Sequence, residues 1–259
     1  MNHEPRIALL IDADNSPAAM IDKVLDELAK EGVINIRRAY GNWRSSNLNA
    51  WVDLLHHFAI QPIQQFAYTK GKNATDAAMI IDAMDLLYTR QVDGFAIVSS
   101  DSDFTPLVMR LRANGLRVYG FGEQKTPKPF VNACSKFLYL ENLCDPGKAP
   151  VATPPDAADP AATPVENDAP KNATNRPDTK TLRCDTRLVN LLRKAVNDST
   201  RHDGWANLSA VGDHISKQVS FDIRNYGYAR LSRLFQAIGL FDVRNNDGVF
   251  YVRDPRPRV

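Results

Sequence analysis

Several carboxylate- and amide-bearing residues fall where they could act on one bound group. Asp12, Asp14 and Asn15 follow the apolar run Ile7-Ala8-Leu9-Leu10-Ile11. Asp76 comes directly after Thr75, at the start of a helical pattern. Asp101 and Asp103 follow the apolar run Phe95-Ala96-Ile97-Val98 and the pair Ser99-Ser100. Short apolar runs of this kind are typical of buried parallel strands, and open α/β sheets bind ligands at the carboxyl ends of their strands. If these segments are neighbours, they bring up to five carboxylates to one sheet edge. Such a group repels itself unless a cation neutralises it. Hard oxygen donors suit Mg2+ or Mn2+. Two such ions about 4 Å apart activate water and stabilise the leaving oxygen in phosphodiester cleavage. The candidate metal ligands are therefore Asp12, Asp76, Asp101 and Asp103, with Asn15 as a further candidate catalytic residue.

Structural roles compete with this one. An Asp after a strand can cap the next helix by accepting backbone N–H bonds, which fits Asp14, Asp76 and Asp103 better than Asp12 and Asp101. Asp14 stands two residues from Asp12 and is expected to point away from the site. Asp82 is expected on another helix face, as a supporting partner, and Asp85 on a solvated one. Trp43, Arg44, Lys70 and Lys72 flank the site in sequence. Arg44, Lys70 and Lys72 are candidate contacts for the phosphates of a nucleic acid, whereas packing is the stronger reading of Trp43.

The elements that must position these residues alternate between strand and helix. Strands are expected at Arg6–Asp12, Val33–Tyr40, Ile60–Gln64, Gly94–Ser99, Arg117–Phe121 and Phe137–Leu140. Helices between them include one after an N-cap Ser16 with Pro17 in its first turn, and one capped by Thr75 that runs to Tyr88. This pattern predicts an α/β fold with a parallel sheet over residues 1–144. Residues 145–179 are rich in Pro, Ala, Asp, Thr and Asn, without an aromatic residue, and read as a disordered linker. Residues 180–259 read as a small winged-helix module: helices at Thr181–Asn197, Leu208–Gln218 and Tyr228–Ile238, then a hairpin from Phe241 to Val252.

Charge divides the same way. Residues 1–145 hold 15 Lys/Arg and 17 Asp/Glu, a net of −2, whereas residues 180–259 hold 14 and 8, a net of +6. The second module is thus the part expected to meet a polyanion. The three cysteines, Cys134, Cys144 and Cys184, form no C-x-x-C pair, and their odd number argues against a disulfide framework. A reducing cytoplasm is the expected location. No stretch of eighteen apolar residues is present, and the polar Met1–Arg6 does not read as a signal peptide, so no membrane association is expected.

The motifs Ile11-Asp12-Ala13-Asp14-Asn15, Lys70-Gly71-Lys72-Asn73-Ala74-Thr75-Asp76 and Ile97-Val98-Ser99-Ser100-Asp101-Ser102-Asp103 occur in the order of a known family. Over residues 5–143 the chain resembles the NYN domain of the PIN-like nucleases, in the LabA-like branch. That resemblance implies a Rossmann-like parallel sheet and a divalent-metal ribonuclease site at Asp12, Asn15, Asp76, Asp101 and Asp103, with Ser99 and Ser100 shaping the loop. The chain departs from the family pattern in places. Ala74-Thr75-Asp76 stands where Gly-Val-Asp is common, and Ser99-Ser100-Asp101 where Ser-Gly-Asp is frequent. Ser135 or Lys136 stands where an Asp often precedes the last strand. None of these removes a core ligand.

The pattern from Gly227 to Phe241, with Leu231, Leu234 and Gly239 at its fixed positions, and the flanking Gly204–Ser216 and Gly248–Arg253 stretches, resemble the OST-HTH domain, also called LOTUS. Its implied role is RNA binding, with helicase-type protein partners for some animal members. Arg224, Arg230 and Arg233 are candidate RNA contacts there, with Lys217 and Arg244 as further cations. The expected function is a metal-dependent endoribonuclease acting on single-stranded or structured RNA. A protein partner of the C-terminal module and a homodimer are further candidate associations. One rival is a non-catalytic RNA-binding regulator with a decayed nuclease site, against which the intact carboxylate set speaks. Another is a phosphatase reading of Asp12-Ala13-Asp14-Asn15-Ser16, which fits the motif order less well.

Overall fold

A computed structural model describes residues 4–66, 74–143, 179–200, 204–246 and 248–256. Strands β1 (Arg6–Asp12), β2 (Val33–Gly41), β3 (Gln61–Gln64), β4 (Gly94–Val98), β5 (Arg117–Gly122) and β6 (Lys136–Tyr139) form one sheet in the order β3-β2-β1-β4-β5-β6. All neighbours are parallel. Strand β1 explains why the run after Arg6 is apolar without a break. Successive side chains point to opposite faces, so Ile7, Leu9 and Ile11 enter one core and Ala8 and Leu10 the other. A strand buried on both faces has no polar position to spare.

Helices α1 (Ile21–Leu28) and α2 (Asn49–His57) cover the first face with Ile21, Val24, Leu28, Trp51 and Leu55. Helices α3 (Ala74–Thr89), α4 (Thr105–Ala113) and α5 (Lys128–Ala133) cover the second with Met79, Ala83, Leu107, Val108 and Phe130. The six-residue α5 is too short to show a helical period, so the sequence pattern does not reveal it. Ser16 is not the helix cap its type predicts. Its hydroxyl donates to the Val98 carbonyl at 3.1 Å, and the chain enters α1 through a 3-10 turn, Ala18–Met20, that has no side-chain cap.

The second module contains α6 (Thr179–Cys184), α7 (Thr186–Ser199), β7 (Ala206–Asn207), α8 (Leu208–Gln218), α9 (Leu231–Ile238), β8 (Asp242–Asn246) and β9 (Val249–Arg253), with its sheet in the order β7-β9-β8. Four helices and a hairpin around Leu192, Val211, Ile215, Leu234, Phe235 and Val252 make the expected winged-helix arrangement, with one helix more than the pattern predicts. Two boundaries differ from expectation. The single helix expected over Thr181–Asn197 is two, because the Asp185 carboxylate accepts the Leu188 N–H at 2.9 Å and starts α7 afresh. The helix expected from Tyr228 starts at Leu231, because Ile223–Tyr226 wind a 3-10 turn that ends on Gly227 at φ 75°, a left-handed conformation that favours glycine. The expected linker lies outside the described residues except for Thr179, which opens α6.

Among the described residues no helix is long and apolar enough to cross a membrane. Cys134 is a buried free thiol whose burial raises its pKa to about 12, whereas Cys184 is exposed and free. Cys144 lies outside the described residues.

Candidate metal centre

The strand order runs outward from β1 in both directions, through β2 to β3 and through β4 to β6. Connections from β1 and β4 therefore leave on opposite sides, and a crevice opens at their carboxyl ends. Asp12 is the last residue of β1, and Asp101 lies just past the end of β4. Helix α3 packs over β1 and β2 and carries Asp76 in its first turn. One carboxylate oxygen from each of Asp76, Asp101 and Asp103 lies within 4.8 Å of the others. Asp76 is buried, Asp101 half-buried and Asp103 exposed, so the group opens to solvent on one side.

Short polar side chains hold these carboxylates in place. The Ser99 hydroxyl donates to Asp12 Oδ2 at 2.9 Å and accepts the Asp101 N–H at 3.1 Å, which ties the end of β1 to the loop after β4. Asn15 Nδ2 donates to Asp12 Oδ2 at 3.1 Å. Asp101 accepts the Asp103 N–H at 2.8 Å and so caps the 3-10 turn Ser102–Phe104. Ser100 accepts the Glu123 N–H at 2.9 Å. The serine that replaces the family's frequent glycine thus fastens this loop to the end of β5. Gly122 is needed there: a Cβ would sit 2.7 Å from both the Ser99 carbonyl and Thr126 Oγ1.

Burial, first of all, raises the pKa of Asp12, and the charge of Asp14 adds to it; hydrogen bonds from Ser99 and Asn15 work against both. Asp76 rises from the ordinary 3.8 to about 6, through burial first and then through the charges of Asp12, Asp101, Asp103 and Asp14. A set of hard oxygen donors whose charges raise the proton affinity of the buried Asp76 is one that a dication would stabilise. The donor chemistry fits Mg2+ or Mn2+.

The structure brings Asp76, Asp101 and Asp103 together, with the fully buried Asp12 close enough to act on Asp76 and with Asn15 bound to Asp12. Asp14 is nearer than its spacing suggests. Thr75 is not the helix cap but lies in the first turn of α3, and its hydroxyl donates to Asp14 Oδ2 at 2.9 Å. Asp82 faces away from the cluster and binds Arg38 and Tyr40. Arg44 is exposed just past the carboxyl end of β2, while Trp43 packs against the first core and donates its indole N–H to the Ile63 carbonyl at 3.1 Å. Lys70 and Lys72 lie outside the described residues.

In the second module, Arg230 is the exposed N-cap residue of α9 and Arg233 is exposed in its first turn. Arg224 is instead bound to Asp222 and to Glu27 of the first module. Arg244, one of the further cations expected in this module, stands on the wing in a group whose other members, Trp205, Tyr251 and Arg253, sequence reading did not single out. The Arg244 guanidinium sits 4.2 Å from the Trp205 ring centre and 5.2 Å from that of Tyr251, and Arg253 sits 4.8 Å from Trp205. Its signal is the hairpin register, which places Arg244 opposite Tyr251.

The raised Asp76 pKa fixes the sign of a stability effect. The folded chain holds this proton more tightly than the unfolded chain, so the contribution of Asp76 to stability is greatest below about pH 4 and is lost as pH rises through about 6. In chelator, Asp76→Asn should therefore melt above the native protein at neutral pH, by roughly 1–3 kcal/mol of stability. The gap should shrink as pH falls toward 4. Melting curves between pH 4 and 7.5 check this, and a gap independent of pH would contradict it.

The NYN domain model matches residues 6–141, and the OST-HTH/LOTUS domain model matches residues 180–252. An uncharacterised protein of Methanocaldococcus jannaschii is 31% identical over 125 residues, 47% of this chain and 49% of that protein. The chain thus spans about half the length of this curated relative. Two solved structures are more distant. A protein of unknown function from Vibrio parahaemolyticus matches with a TM-score of 0.46 at 18% identity, covering 54% of this chain and 94% of its own. An uncharacterised protein from Nitrosomonas europaea matches with a TM-score of 0.27 at 28% identity, covering 38% of this chain and 96% of its own. Neither structural likeness is close enough to argue from; the match of more than half the chain to one domain model is, and the chain belongs to the NYN family of PIN-like nuclease domains, with an OST-HTH/LOTUS domain as its second module.

Proposed function

We propose that the chain is a divalent-metal-dependent endoribonuclease whose OST-HTH/LOTUS module holds the RNA. The observation that carries this reading is the convergence of Asp76, Asp101 and Asp103 at the sheet's switch point, beside the buried Asp12. Those four carboxylates would hold Mg2+ or Mn2+, which when bound supplies a water of lowered pKa and charge stabilisation at phosphate. The chain's own residues do the positioning. Ser99 and Asn15 orient Asp12 by donating to it, and their hydrogen bonds favour its ionised form against the effect of burial. Asp101 and Ser100 fix the loop that presents Asp103 to solvent. Arg44, exposed just past the carboxyl end of β2, would meet a backbone phosphate, and Lys70 and Lys72, a few residues ahead of Asp76 in the sequence, would do the same.

Residues 1–145 carry a net charge of −2 and residues 180–259 one of +6, so the attraction for RNA comes chiefly from the second module. Arg230 and Arg233 offer phosphate contacts from the start of α9. The wing adds the Trp205, Arg244, Tyr251 and Arg253 group, whose rings and guanidinium planes are the side chains on which unpaired bases stack.

Two assays test this reading. With labelled RNA, Asp101→Asn should lower cleavage by about a hundredfold or more, and chelator should abolish it, because one lost ligand weakens the whole metal site. Cleavage that survives chelator would remove the metal from the account. RNA binding by the native chain with no cleavage in either ion would favour the non-catalytic regulator instead. Arg230→Ala combined with Arg233→Ala should weaken RNA binding and reduce its salt dependence by roughly one to two units of log–log slope. An unchanged slope would place the phosphate contacts elsewhere.

A further inference from the structure

Strand β6 ends the sheet on one side, and an edge strand presents unpaired N–H and C=O groups to whatever lies beside it. Here the neighbour is Asn225 of the second module. Its Nδ2 donates to the Phe137 carbonyl at 2.9 Å, and its Oδ1 accepts the Tyr139 N–H at 3.4 Å and a bond from Asn142 Nδ2 at 3.3 Å. The carbonyl of residue 137 and the N–H of residue 139 are the two groups that a residue opposite Leu138 would use in a further parallel strand. A carboxamide has the same donor and acceptor as a peptide group. Asn225 therefore stands in for one residue of a seventh strand.

An ionic contact lies beside it. Arg224 Nη1 is 2.6 Å from Oε2 of the buried Glu27 on α1, and Arg224 Nη2 is 2.8 Å from Asp222 Oδ2. Lys136, the first residue of β6, lies 3.8 Å from both Asp222 and Glu27. The signs alternate from Lys30 through Glu27, Arg224 and Asp222 to Lys136. Burial raises the Glu27 carboxyl, yet Arg224, Lys30 and Lys136 outweigh it and bring its pKa down to about 2. Charges this well covered lose much if a partner leaves. At a third point, Arg187 Nη2 donates to Asn132 Oδ1 at 3.0 Å.

We infer that the nuclease module uses its β6 edge as a docking surface for the chain's own OST-HTH/LOTUS module, with Asn225 capping the edge strand and Arg224 pairing with Glu27. The two modules then act as one body with a set orientation, in place of two domains on a loose tether. Docking also commits Arg224: its guanidinium cannot hold Glu27 and an RNA phosphate together. RNA contacts in the docked chain fall to Arg230, Arg233 and the wing.

Small-angle X-ray scattering of the full chain, without RNA or metal, tests the docking, and neither turnover nor metal binding affects the reading. The native chain should scatter as a compact monomer. Asn225→Asp keeps the side-chain volume but replaces the donor to Phe137 with a charge, and Arg224→Glu sets a carboxylate against Glu27 and Asp222. Each should raise the radius of gyration by several ångströms and give a two-lobed distance distribution. All the side-chain hydrogen bonds given above for Asn225 go to the first module, so Asn225→Asp should leave the circular dichroism unchanged and carries the test even if Arg224→Glu unfolds its module. A native chain that already scatters as two separate lobes, variants that scatter like the native chain, or a dimeric mass in which the modules pair between copies would overturn the inference.

Discussion

Carboxylates held close together in a partly buried pocket repel one another, and much of the nuclease module serves to keep them there. Asp12 is fixed by a strand buried on both faces. Asp101 and Asp103 are fixed by a loop pinned through Ser99, Ser100 and the close approach at Gly122. Asp76 is fixed by a helix packed across β1 and β2. No single segment could hold this arrangement, since the charges of Asp12, Asp101, Asp103 and Asp14, which come from separate segments, all add to the proton affinity of the buried Asp76. The sheet can do so because its core surrounds β1 and β4 on both faces, and stored repulsion of this kind is released when a cation enters.

Much of the frame is legible in the sequence for the same reason. A strand covered on both sides must be apolar throughout, so Ile7–Ile11 and Phe95–Val98 announce themselves, and the carboxylates that follow them are conspicuous. Asp76 is legible through the motif around it and through its place at a helix start. Other features depend on partners far away in sequence. Ser99 looks like a loop residue until β1 and β4 lie side by side. Asp14 looks turned away until Thr75 approaches it. Arg224 looks like one of several basic surface residues until Glu27 meets it. Local periodicity carries no information about such pairs, and the helix boundaries at Asp185 and Gly227 turn on single capping residues that a periodic pattern runs straight through.

The opposite charges of the two modules give each a separate task. On the proposed reading, a mildly acidic nuclease module with a concentrated acidic pocket discourages polyanions except where a dication would compensate. A basic winged helix attracts them without discriminating by chemistry. Docking through β6 joins these tendencies in one geometry. It also covers the sheet edge, which would otherwise offer itself to strands of other chains.

The central claim is that the carboxylates at the switch point form a cation site. Calorimetric titration of Mn2+ into chelator-stripped full-length protein tests it most directly, because it needs no RNA and no turnover. The account predicts saturable binding that Mg2+ competes for and that Asp101→Asn greatly weakens. Heats indistinguishable from dilution in the native protein, or binding unaltered by Asp101→Asn, would contradict it.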